Sequence, residues 1–270
     1  VEWTLVIGYA LALVIGCVLG ILGGGGAMLA VPVLVYLFGE TAEQATAYSL
    51  FIIGITSLVS TIPSTIKGLV NYRSGLVFAL PALMVGYGMR WVVNALPDAW
   101  LQGPPFSLTK DFAIMVFFVM VMIPVGWTMV RKQGVVKRPA VKSEKTQFFQ
   151  ILLQGAATGL VTGFAGAGGG FLIVPALTLL VGLPIRQAIA TSLMIVTLNT
   201  LTAFGADLQA GRQVNWPFLL SFTGLTVVGI LIGGLIIDRL PAQKLKLAFG
   251  YFIFLMAAVI LTLEVVGLRK

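Results

Sequence analysis

Two glycine-rich stretches, at matching places in two halves of the chain, are the residues best suited to chemistry. The first is Gly23, Gly24, Gly25 and Gly26 followed by Ala27, inside the run 20–32 that ends on Pro32. The second is Gly166, Ala167, Gly168, Gly169 and Gly170, inside the run 163–175 that ends on Pro175. Each cuts a long apolar run, because glycine weakens a helix through backbone entropy and proline by removing a donor. A helix that restarts after such a break exposes amide N–H groups at its N-terminus, where the helix dipole also attracts anions. Glycine allows close approach because no Cβ blocks the backbone. The expected chemistry is capture of a small anion by backbone amides.

Polar side chains near the breaks extend this site. Ser49 and Ser192 occupy matched positions one helix after each break, and their hydroxyls would complete an oxyanion shell or bond their own backbone. Thr56 is matched to Asn199, and an amide is costly to bury without a use, so Asn199 is expected to face a cavity. Arg90 lies within an apolar segment; an intramembrane arginine is a functional candidate, for gating or selectivity, unless it snorkels outward. Asn71 and Asn215 lie beside Gly68 and Gly211, where helix caps or turns explain them and gating is the alternative use.

The elements that must position these residues are helices in a bilayer. Of 270 residues 59% are hydrophobic and 10% charged, with mean hydropathy +1.04; globular domains carry roughly 25% charged residues. Apolar runs of spanning length recur throughout, which defines an all-α polytopic membrane protein. Lipid is therefore a partner. The net charge of +8 belongs to loops that set topology and face headgroups, so nucleic acid is not an expected partner. No cofactor or metal is expected: there is no histidine, Cys17 is the single cysteine, and no lysine follows the glycines as a phosphate loop requires. The first apolar run reads as a mature segment, without the charged flank of a signal peptide.

The sequence divides into a first transmembrane repeat (1–130), a basic linker (131–146) and a second repeat (147–270). An ungapped offset of 143 aligns 16–68 with 159–211 at 20 identities in 53 positions. The identities include Gly20/Gly163, Pro32/Pro175, Gly39/Gly182, Gln44/Gln187 and Gly68/Gly211; one inserted residue later Asn71 meets Asn215. Each repeat holds a glycine-broken helix pair and three transmembrane helices. The linker carries Arg131, Lys132, Lys137, Arg138, Lys142 and Lys145, so the positive-inside rule makes it cytoplasmic. The roughly 32 residues around the first break are too many for one crossing of a ~30 Å core. The broken pair then enters and leaves, each repeat crosses an odd number of times, and the repeats are expected to be inverted; read as one interrupted crossing instead, the pair would make them parallel, and the basic residues barely separate the two arrangements. Inverted repeats with interrupted helices describe secondary transporters, with substrate near the midplane between repeats. Single glycine pairs also serve helix packing; the duplication of the whole break favours binding.

The paired glycine–proline motifs, the turns at Gly39 and Gly182, and the Ala-x-Ala-x-Ser-Leu runs at 45–50 and 188–193 resemble the TauE/SafE sulfite and organosulfonate exporters. The resemblance covers nearly the whole chain. It implies export of sulfite, sulfoacetate or related sulfonates across a cell membrane, the inner membrane in a bacterium. Members differ in substrate and direction, so uptake of thiosulfate or of small organic carboxylates remains an alternative, as does an anion channel. Gly24 and Ala27 in the first break stand against Ala167 and Gly170 in the second, which makes the two half-sites inequivalent. An enzyme is not expected, since no nucleophile–base set is present. Coupling and oligomeric state stay open, a homodimer among the options.

Overall fold

Helix starts in this chain are written in its polar turns. The computed structural model describes residues 2–23, 27–97, 99–101, 108–130, 144–165, 169–237 and 242–267. The first half forms α1 (Glu2–Leu22), α2 (Ala27–Tyr36), α3 (Ala42–Ile66), α4 (Tyr72–Ala95) and α5 (Lys110–Val130). The second forms α6 (Glu144–Ala165), α7 (Gly170–Ala176) extended by a π-helical turn (Leu177–Val181), α8 (Ile185–Gln209), α9 (Trp216–Ile237) and α10 (Ala242–Gly267). Thr41 caps α3, its Oγ1 accepting from the Gln44 N–H at 3.2 Å, and Asn71 caps α4, its Oδ1 accepting from the Ser74 N–H at 3.0 Å. Such caps satisfy amides that a helix end leaves open. Five of the described helices are long and apolar enough to cross a membrane, so the protein is an all-α, multi-pass membrane protein.

Between α4 and α5, β1 (Ala99–Leu101) pairs antiparallel with β2 (Leu108–Thr109). One boundary differs from the sequence reading. The second half's first helix begins at Glu144, inside the stretch read as linker; residues 131–143 lie outside the described residues.

Packing follows small residues. Gly16, Gly20, Gly229 and Gly233 bring α1 against α9, and Gly155, Gly159, Gly163 and Gly86 bring α6 against α4. Without a hydrophobic drive between helices in lipid, such close backbone approach supplies the attraction. In both pairs residue numbers rise together, Gly155 on Phe78 and Gly163 on Met89, Gly16 on Thr226 and Gly20 on Gly234, so partners run parallel. In α3 and α8 they run oppositely: Phe51 meets Phe204 at 5.1 Å between centroids, and Gly54 lies on Thr200 and Leu201. Continuing that register sets Thr56 level with Asn199, its own repeat mate. Exchanging the halves carries the α1–α9 contact onto α6–α4. It likewise carries the hydrogen bond from the Asn71 N–H to Thr191 Oγ1 (2.9 Å) onto that from the Asn215 N–H to Tyr48 Oη (3.0 Å).

A Cβ at Gly159 would lie 2.3 Å from the Ala82 carbonyl oxygen. Gly159→Val is therefore expected to cost about 1–3 kcal/mol. Gly205→Ala, in open space, is expected to be neutral or to stabilise by up to about 1 kcal/mol. Thermal unfolding in detergent checks both.

The bundle has two polar ends. Asn71, Arg73 and Ser74 meet Phe148 and Val181 at one, the end from which α6 departs the linker. Glu43, Asn94, Asp207 and Arg212 gather at the other, here called the far end.

Candidate functional site

The breaks sit against the central helices. Gly24, Gly25, Gly26, Gly166 and Gly168 lie outside the described residues; their flanks are described. Gly23 closes α1 at φ +62°, its N–H donating to the Leu19 carbonyl at 2.9 Å. A Cβ there would come within 2.6 Å of Ile189. Ala27, the first residue of α2, is fully buried. Gly169, at φ +64°, precedes buried Gly170 at the start of α7. A Cβ on Gly169 would meet Thr162 Oγ1 at 2.5 Å and Thr158 Cγ2 at 2.6 Å. Both threonines are buried, and neither hydroxyl has a hydrogen-bond partner.

The flanks of the two breaks lie at different levels. Gly23 lies at Ile189 and Ser192 on α8. Gly163, just before the second break, receives a bond from Arg90, whose partner on α8 is Asp207. Fifteen residues of α8 separate Ser192 from Asp207, about 22 Å of helical rise. The described flanks, Gly23 and Gly163, thus lie toward opposite ends of α8. The reason is the inverted direction of α1 and α6: each breaks near its own C-terminal end.

The hydroxyls expected around an anion are mostly engaged. Ser49 Oγ donates to the Thr46 carbonyl at 2.8 Å, and Thr56 Oγ1 to the Ile52 carbonyl at 2.5 Å. Ser192 Oγ donates to the carbonyls of Ile189 (2.8 Å) and Gly23 (2.7 Å), tying α8 to the first break. An anion needs donors, and these protons are given to carbonyls in this conformation. Asn199 differs: it is 3% exposed, and neither Oδ1 nor Nδ2 has a partner. Ser57 Oγ, beside Thr56, is also buried and unpartnered.

Arg90 does not snorkel. It is fully buried at the far end and donates from Nε to Asp207 Oδ1 at 2.6 Å. Its Nη1 and Nη2 approach the carbonyls of Gly163 and Glu43, each at 3.4 Å. Asn94 Nδ2 donates to the same Asp207 oxygen at 3.0 Å, and Arg212 donates to Glu43 Oε1 and, at 2.8 Å, to Asn94 Oδ1. Asp207 Oδ2 and Arg212 Nε are buried without hydrogen-bond partners. The network closes α3, α4, α8 and the α8–α9 turn onto one another. Outside it lies an open recess of about 510 Å³ lined by Glu40, Gln44 and Arg212, where partial burial raises the Glu40 carboxyl above its usual range.

The equivalent place at the linker end is open. A cavity of about 280 Å³ there is lined by Gly20, Ser64, Arg186 and Gly234, among others. Gly20 is the mate of Gly163, Ser64 of Asp207, Arg186 of Glu43, and Gly234, through the one-residue insertion, of Arg90. Arginine and carboxylates plug one side; glycine and serine leave the other vacant.

Asn71 and Asn215 both cap helices, the latter accepting from the Phe218 N–H at 3.3 Å. Sequence reasoning does not bring Asp207, Arg212, Glu43, Asn94, Thr158 or Thr162 into the site. The visible signal was the departure of these positions from the repeat, as Thr158 and Thr162 face Ile15 and Leu19 as mates.

Residues 8–260 match the model of a family described as sulfite exporter TauE/SafE. A probable membrane transporter protein of Xylella fastidiosa is 31% identical over 253 residues, covering 90% of this chain and 89% of that one. The probable membrane transporter protein YunE of Bacillus subtilis is 29% identical over 239 residues, covering 83% and 84%.

Proposed function

The chain belongs to the sulfite exporter TauE/SafE family, a family of membrane transporters and not of enzymes, and from that premise we propose that it exports small sulfur-containing anions by alternating access. The substrates are sulfite, sulfoacetate or related sulfonates, in keeping with the family description. The 1–130 and 147–270 halves act as inverted repeats around α3 and α8, the 131–146 linker lies in the cytoplasm, and in a bacterium the membrane is the inner one. The observation that carries the reading is the inequivalence of matched places: a buried ion-pair network at the far end and a cavity at the linker end. A carrier resting inward-open has this form, one route closed while the other admits water.

In this scheme Arg90 is the gate. Separating it from Asp207 opens the far side, and the backbone amides of the breaks meet the anion on each side of Asn199. Asn71 and Asn215 hold the helix starts about which the halves move. The unpartnered Asn199 amide, level with Thr56, supplies a donor where the routes join. Burying such a group without a partner costs about 1–3 kcal/mol, a cost that a transported anion offsets during passage.

The test is flux in liposomes of purified protein. Labelled sulfite or sulfoacetate inside is expected to exit faster when unlabelled substrate is added outside, with saturation. Large unitary conductance without such counterflow would replace the carrier with a channel; absence of flux for every sulfur anion would reject the substrate class.

A further inference from the structure

We propose that the linker-end cavity is a binding site for a small amphiphilic anion, with Lys67 and Arg186 holding the charged head and Ile189 and Ile230 the apolar body. The inference rests on the reading of the protein as an anion carrier and adds a place and a shape for the ligand.

The cavity, about 280 Å³, combines two kinds of wall. Lys67, at the C-terminal cap of α3, and Arg186, in the first turn of α8, both line it. A cation in a helix's first turn opposes the dipole, and an anion bound there is attracted by both. Ser60 and Ser64 add hydroxyls, while Ile189, Leu193 and Ile230 make the remainder largely apolar. An inorganic oxyanion would leave the apolar walls unused; a sulfonate or carboxylate with a short alkyl tail uses both.

Its position suits a ligand on its way inward. Ile189 lines the cavity and touches Gly23 on its other side, so the inner wall is the flank of the first break. Gly234 keeps the cavity open. A Cβ added there meets nothing within 4 Å, whereas its mate Arg90 fills the equivalent place at the far end.

The test uses the full chain in nanodiscs of zwitterionic lipid, titrated calorimetrically with methane-, ethane-, propane- and butanesulfonate. Affinity is expected to rise about fourfold per methylene. Arg186→Gln is expected to weaken binding about tenfold, and Gly234→Leu to abolish it while thermal stability stays at the wild-type level. Uniform affinity along the series, or binding that survives Gly234→Leu, would overturn the site. So would complete displacement by phosphatidylglycerol added to the disc, which would give the cavity to a lipid headgroup. Liposome flux separates this from the transport reading. Sulfite counterflow with a flat sulfonate series leaves the carrier and removes the site. A rising series lost in Gly234→Leu, without flux of any sulfur anion, keeps the site and removes the exporter.

Discussion

Asp207→Ala is expected to cost about 3–5 kcal/mol of stability, because it leaves the fully buried Arg90 guanidinium without its carboxylate. In purified protein the thermal midpoint should fall by roughly ten degrees. The alternative source of such a loss is packing, and a second variant separates the two. Replacing both partners, Arg90→Met with Asp207→Leu, removes the stranded charge and fills similar volume, so stability should return close to wild type. A double variant as unstable as Asp207→Ala would mean that shape, not charge, holds this end together. The gate reading adds a second readout. Water can separate an ion pair by hydrating both partners, but it has no such hold on a methionine packed on a leucine. The double variant should therefore be stable and slow, with counterflow about tenfold or more below wild type, equivalent to about 1.4 kcal/mol on the opening barrier. Stable protein with full flux would show that Arg90 and Asp207 do not gate.

Much of this fold is legible in the sequence because its information is local. Thr41, Asn71 and Asn215 accept hydrogen bonds from amides three residues on, which spacing alone can indicate. Gly39 and Gly182, at φ +72° and +75°, mark equivalent turns through the residue that tolerates that conformation. The site is less legible, for three separable reasons. A glycine run reveals that a helix stops but not how deep, so the placement of Gly23 and Gly163 toward opposite ends of α8 depended on how α1 and α6 pack. Hydroxyl residues are identical in sequence whether they bond their own helix, as Thr56 does, or none, as Ser57. The Arg90–Asp207 pair joins residues 117 apart, and no periodicity links them.

The repeat nevertheless held a usable signal for that pair. Where a chain is duplicated, shared residues report what both halves need, here the turns, the packing glycines and the prolines. Departures report where the halves do different work. Arg90 against Gly234, Asp207 against Ser64 and Glu43 against Arg186 are three such departures, and in the fold they form two matched places, one plugged and one open. Strict symmetry would give two plugs or two cavities, and neither alone distinguishes inward from outward.

Asn199→Leu carries the second large expected effect, and its two readouts move in opposite directions. Asn199 is buried in the middle of α8 with both amide atoms lacking partners, an arrangement that costs stability in the resting fold. Replacing the amide by an apolar side chain of comparable size removes that cost, so the variant should be more stable than wild type by about 1 kcal/mol. If the amide greets the anion where the two routes join, the same variant should lose transport almost completely. An unmet donor in this position would otherwise be a defect, and defects are improved by removal without functional loss. Asn199→Gln separates donor chemistry from side-chain length, retaining the amide and some flux. Thermal unfolding and counterflow on the same preparations decide the matter. A leucine variant that is stabilised and fully active would make Asn199 a tolerated flaw, and one that is destabilised would mean that the amide is satisfied within the resting protein.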